Sequence, residues 1–115
     1  MKDFCVEFHL ADSEFMTALR LAVGAVCSIA DADVDRAEDM KVCVTESCLI
    51  LKRSGFERVK VTLGCEGGVS AVVHGLGGVP AECDNEFSLA LVSALVSSCA
   101  LEREQGVISG ITLKL

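Results

Sequence analysis

The 115-residue chain reads as an α+β domain: a two-layer sandwich with three helices on one face of a mixed, four-stranded sheet. Three observations predict this. Apolar residues alternate near the start, at Phe4, Val6, Phe8 and Leu10, the period of a half-buried strand. Two long stretches of helical period then follow each other directly. Alternation returns only after them, and helices that come in a block point to α+β. The predicted order is strand, helix, helix, strand, strand, helix, strand. The length suits one domain, residues 1–115, and a hydrophobic content of 51% supplies its core.

The opening strand is expected over Lys2–Leu10, with Cys5, Glu7 and His9 on its other face. Cys5 and His9 stand roughly 13 Å apart along a strand, too far to share a metal, and His9 reads as a surface histidine. Asp12 or Ser13 offers a cap to the first helix. Its apolar face runs through Phe15, Met16, Leu19, Val23, Val26 and Ala30, with Arg20 beside it. The acidic loop from Asp31 leads to a second helix capped by Asp33 or Asp35. Asp35 with Glu38 makes a capping-box-like pair, and acid at a helix start is favoured by the dipole.

The second helix runs to about Ser54, and Gly55 is its natural stop. Met40, Val44, Cys48 and Leu51 form its apolar stripe, and Glu46 lies off it. A hairpin is expected next: Arg58–Cys65, a turn at Glu66-Gly67-Gly68, then Val69–His74. A glycine-rich loop, Gly75–Pro80, follows. Asp84 or Asn85 starts a third helix, with Phe87, Leu91, Ala94, Leu95, Ser98 and Leu101 on one face. Val107–Leu115 is the last strand, interrupted by Gly110.

Composition excludes some functions. A net charge of −7 argues against nucleic acid, whose binding depends on Lys and Arg neutralising phosphates. No apolar run approaches the ~18–20 residues that span a bilayer, and no leader pattern opens the chain, so a soluble, cytoplasmic protein is expected. The seven cysteines are scattered without a C-x-x-C pair and read as reduced, buried, alanine-like residues. No metal site is expected from their spacing. Neither a Walker sequence nor a dinucleotide fingerprint is present. Glu46-Ser47-Cys48 sits mid-helix and is no nucleophile elbow.

One stretch carries more. Asp39, Lys41, Val44 and Glu46 keep the spacing of D-x-K-x-A-V-x-E-A-x-x-N, with Ile50 at the Asn position. This resembles the Asn-box helix of the GHKL, or Bergerat-fold, ATPases, in the branch of bacterial anti-sigma-factor serine kinases. The resemblance spans Phe4 to Leu113 and implies the same element order. It implies that Glu46 would be the base acting on the attacking hydroxyl, and that Arg20 would hold a sigma factor, with the acidic loop from Asp31 to Asp39 beside it.

The nucleotide motifs depart from the family pattern. Ile50 offers a magnesium ion no oxygen, and such hard cations take oxygen ligands. The stretch His74-Gly75-Leu76-Gly77-Gly78 stands where D-x-G-x-G binds adenine. Gly77 falls on a motif glycine, while Gly75, or His74 with a one-residue slip, replaces the aspartate. Glu86-Phe87-Ser88-Leu89 stands where G-x-G-L would cradle phosphate at a helix start. Gly75 and Gly77 are then vestiges, and no cofactor is expected. The implied function is a regulator that binds a sigma factor or an anti-anti-sigma factor, without ATP or kinase activity. Two alternatives remain: a divergent serine-protein kinase using Mg-ATP and Glu46, and a dimeric scaffold. A homodimer is the expected assembly.

Overall fold

A computed structural model describes residues 3–115. The elements are β1 (Asp3–His9), α1 (Phe15–Ile29), α2 (Val34–Arg53), β2 (Arg58–Gly64), β3 (Ser70–Leu76), α3 (Glu86–Leu95), β4 (Ser98–Glu104) and β5 (Val107–Lys114). The α+β class and the helical block stand. Lys2, the first residue of the expected opening strand, lies outside the described residues.

The sheet departs from expectation in two ways. It has five strands rather than four, ordered β1-β2-β3-β5-β4, and every neighbouring pair is antiparallel, so it is not mixed. Both differences have one cause. The third helix was expected to reach Leu101 but ends at Leu95, and Ser98–Glu104 pairs with β5 as a hairpin. Gln105 and Gly106 form its two-residue turn, both with positive φ (52° and 82°). That twist matches paired antiparallel strands.

Each helix is ended by local chemistry. Asp33 caps α2, its carboxylate accepting from the Arg36 amide at 2.8 Å, so neither Asp35 nor a capping-box pair does this work. Gly55 follows α2 in the left-handed region, at φ 96°, as a helix stop requires. The expected cap of α1 does not form. Glu14 holds that position without a side-chain bond, and Asp12 and Ser13 contribute only their carbonyls, to Phe15 and Met16.

The core lies between the layers. Met40, Val44, Cys48 and Leu51 of α2 are completely buried, as their spacing predicts. A second buried row, Cys43, Ser47 and Ile50, lies about a quarter turn round the helix, because α2 is the central helix with α1 and α3 packed on either side. Beneath it lie Val59, Val61, Leu63, Ala71, Val73, Ile111 and Leu113, all buried. These residues align across the ladders, Val61 with Val73 and Val73 with Ile111. The alternate residues, among them Lys60, Thr62, His74 and Thr112, occupy the sheet's other face, which no element of the described chain covers. No helix among the described residues is long and apolar enough to cross a membrane.

Candidate functional site

Glu46 sits half-buried in the middle of α2. Among the described residues it has no ion-pair partner. It shares a side of the helix with Cys43, three residues back, whose thiol reaches the Val92 carbonyl of α3 at 3.8 Å. Burial pushes the Cys43 thiol up to about 11, helped by the negative groups Asp39, Cys99 and Glu46. The side chain of Ile50, one turn on, is wholly inside the core.

Arg53 lies two turns beyond Glu46, roughly 10 Å along the axis. Its guanidinium donates to Asn85 Oδ1 from two nitrogens, both at 3.2 Å, and to Ser88 Oγ at 2.8 Å. Asn85 and Ser88 are both buried and stand at the start of α3. Asn85 therefore does not cap α3 with its side chain; that oxygen is held by Arg53. A cation of the chain itself thus occupies the helix start, and the exposed Glu86 adds a negative charge there.

The glycine-rich loop is closed in the same manner. Gly75 belongs to β3 and faces the helices. A methyl group at Gly75 would stand 2.5 Å from Cγ of Phe56, so the Phe56 ring lies directly on this glycine. Gly78 (φ 76°) approaches the Gly55 carbonyl so closely that a Cβ would overlap it. The Ala81 amide donates to the Ser54 carbonyl at 2.7 Å, fastening the loop to the end of α2. Gly77 has φ 67° and stands against Glu57. All three glycines thus have a packing or conformational reason within the chain.

His74 is adjacent to Gly75 but points to the opposite face of the sheet, where its Nε2 meets Glu102 Oε2 at 2.7 Å. Strand alternation therefore separates His74 from Glu46 by the thickness of the sheet, and the one-residue slip cannot bring it to the site. Gly110 lies beneath this pair; β5 runs on through it, but pairing with β3 ends there and the register with β4 shifts beside it, leaving Ser109 as the extra residue.

Beside the loop remains a cavity of ≈ 570 Å³ lined by Phe56, Pro80, Glu104, Gln105 and Val107. The only charged group in its lining is a carboxylate. Among the described residues, no three of His, Cys, Asp and Glu gather closely enough to hold a metal ion. Arg20 is exposed on α1, 3.5 Å from Thr17 Oγ1. The cysteines divide three ways: Cys27, Cys43 and Cys48 are buried as expected, Cys65 and Cys99 are half-buried, and Cys5 and Cys83 are exposed.

The structure thus puts Glu46 and Gly75 on the helix side of the sheet, sets Gly77 against Glu57 and Arg58, and leaves His74 and Arg20 elsewhere. The residues that dominate this region, Arg53 and Phe56, escape sequence reasoning. Their signal was faint: an arginine in register with Glu46, and an aromatic just after the helix stop. No protein-family model matches the chain, and no curated protein matches it.

Proposed function

We propose that this chain is a regulatory binding module of the anti-sigma-factor type, with a Bergerat-like fold, that acts by protein contact and uses no nucleotide. The observation that carries the proposal is the Phe56 ring seated on Gly75. In the family that the chain resembles, an aspartate at the position of Gly75 holds the adenine amino group. Here that position has no carboxylate, and the chain's own aromatic ring covers it. The Arg53 bridge to Asn85 and Ser88 supports the same reading at the phosphate end. The first six elements, strand, helix, helix, strand, strand, helix, follow the order the resemblance implies, and the chain then ends in two strands instead of one.

Arg20 supplies the contact to a sigma factor or its antagonist. It stands on an exposed face of α1 without an ion-pair partner among the described residues. The Mg-ATP-dependent kinase is the second reading, favoured by Glu46, a half-buried carboxylate without an ion-pair partner among the described residues.

Thermal unfolding with and without Mg-ATP separates the two. A ligand that binds only the folded state stabilises it by about 2.7 kcal/mol at a hundredfold excess over its dissociation constant. We expect no shift at millimolar nucleotide. An upward shift, with phosphate transfer that Glu46→Ala abolishes, would replace the module by the kinase. Binding of purified sigma factors from the native cell tests the contact itself. Arg20→Glu is expected to weaken that binding at least about tenfold, a loss of ~1.4 kcal/mol; equal binding by both proteins removes Arg20 from the interface.

A further inference from the structure

We infer that the cavity beside the glycine-rich loop is a binding site for a guanidinium group, held by the carboxylate of Glu104 and stacked on the ring of Phe56.

The cavity of ≈ 570 Å³ is walled by Phe56, Pro80, Glu104, Gln105 and Val107. Its volume falls within the roughly 300–1,000 Å³ of small-molecule sites. Phe56 follows the glycine stop of α2, Pro80 ends the glycine-rich loop, and the other residues belong to the β4–β5 hairpin. Backbone bonds hold each wall. The Phe56 amide donates to the Leu51 carbonyl at 3.1 Å, and the Ala81 amide to the Ser54 carbonyl at 2.7 Å. Glu104 pairs with Val107 across the hairpin turn.

The orientation of the Phe56 ring is fixed by Gly75. A Cβ at Gly75 would stand 2.5, 2.7 and 2.8 Å from Cγ, Cδ1 and Cδ2 of Phe56. Such similar distances place Gly75 over a face of the ring rather than at its edge. That face is closed, so only the other face and the outer rim are left to the cavity. An aromatic face is the negative part of the ring quadrupole, and it attracts a cation within ~6 Å of the centroid.

The charge of the lining agrees. Glu104 is exposed and has no ion-pair partner among the described residues. The arginines around it are engaged or turned away. Arg53 bonds Asn85 and Ser88, and Arg58 reaches Glu7 at 3.2 Å. Arg103 precedes Glu104 in β4, and successive side chains of a strand point to opposite faces. The net charge of −7 adds a field that favours a cation. The same carboxylate repels phosphate, which separates this site from a nucleotide pocket.

The lining selects guanidinium over ammonium. A planar guanidinium donates two parallel hydrogen bonds to one carboxylate, and the amide oxygen of Gln105 can accept another. Its flat, weakly hydrated plane stacks on an aromatic face, whereas a lysine ammonium is compact and strongly hydrated. Pro80 and Val107 offer apolar surface to an aliphatic stem. The group can be the arginine of a protein segment or a free alkylguanidine. The site requires neither Arg20 nor the sigma-factor contact, so either reading can fail without the other.

Titration of the isotope-labelled chain, followed by NMR at the amides of Gln105, Gly106 and Val107, tests the inference. Acetyl-arginine amide is expected to give saturable shifts there. It is also expected to give an Overhauser contact between its δ-methylene and the Phe56 ring protons. Acetyl-citrulline amide has the same shape without the charge and should bind at least about tenfold more weakly. Glu104→Gln, on an exposed residue, should weaken the arginine probe by about the same factor.

A glycyl-arginyl-glycine amide and n-butylguanidine distinguish the sources: tighter binding of the peptide identifies a protein arginine, tighter binding of butylguanidine a free ligand, and either ranking supports the site. Absence of a saturable shift at millimolar arginine probe overturns the inference. Equal binding of the citrulline probe, or undiminished binding by Glu104→Gln, overturns it as well, because the cavity then recognises shape and not charge.

Discussion

Thr45 lies in the middle of α2, and its hydroxyl oxygen is buried without a hydrogen bond to any described residue. Its neighbours on the helix solve the same problem by back-bonding: Ser47 donates to the Cys43 carbonyl at 2.7 Å and Ser54 to the Ile50 carbonyl at 2.8 Å. A buried hydroxyl without a partner costs more than its absence would. Thr45→Val keeps the shape and removes the polar atom, so it should stabilise the fold by about 1 kcal/mol, read as a higher urea midpoint at unchanged slope. Gly75 presents the opposite case. Sequence reading noticed this glycine for its place in a ligand motif, yet its neighbour is the ring of Phe56. A glycine in a strand marks close approach, but which group approaches is decided by the loop that returns past it. That could not be read from the sequence.

At the scale of elements, Arg53 ties the end of α2 to the start of α3. Arg53→Met retains the aliphatic stem and removes the donors, leaving the buried Asn85 and Ser88 oxygens unpartnered. A loss of about 1–2 kcal/mol is expected, together with faster amide hydrogen exchange in α3 than in α2. The long elements were legible because their signals are redundant. α2 has its stripe, its acidic start and its glycine stop, and β2–β3 has two alternating runs around a glycine turn. The stretch from Glu86 to Glu104 was not, for a physical reason. No glycine or proline separates α3 from β4, and Ser98 and Leu101 fit a helical face. Cys99 and Leu101 equally fit the inner face of a strand, paired with Leu113 and Ile111. Local pattern leaves this choice open; pairing with β5 decides it. The Gln105-Gly106 turn was the cue, since glycine in a two-residue loop between alternating runs marks a hairpin. From that one misreading followed both the missing strand and the mixed sheet.

For the whole molecule, the cysteines couple stability to pH. Burial holds the Cys48 thiol far above its ordinary range, at about 12, and lifts Cys43 to about 11 for the same reason, with nearby negative groups adding to it. Cys27 and Cys99 are raised in the same direction, also chiefly by burial. A thiol in the unfolded chain loses its proton near pH 8.5. Between that pH and the folded value, the unfolded state releases protons that the folded state keeps. Stability must then fall as pH rises through this window, and below it the thiols contribute no pH dependence. The expected result is a melting temperature with no pH dependence from the thiols near pH 7 and a decline from about pH 9 upward. Cys48→Ala removes one titrating group from the core at the cost of a small cavity. It should lower the melting temperature at pH 7 and flatten its decline above pH 9. Melting curves of both proteins from pH 7 to pH 11 check this: parallel declines would mean that the thiols do not drive the alkaline loss, and converging curves that they do. The same chemistry separates the buried thiols from the two exposed ones. A thiol held protonated inside the core reacts slowly, whereas Cys5 on the β1 edge and Cys83 before α3 remain open to oxidation. Mild oxidation should therefore modify these two first and leave the α2 core intact.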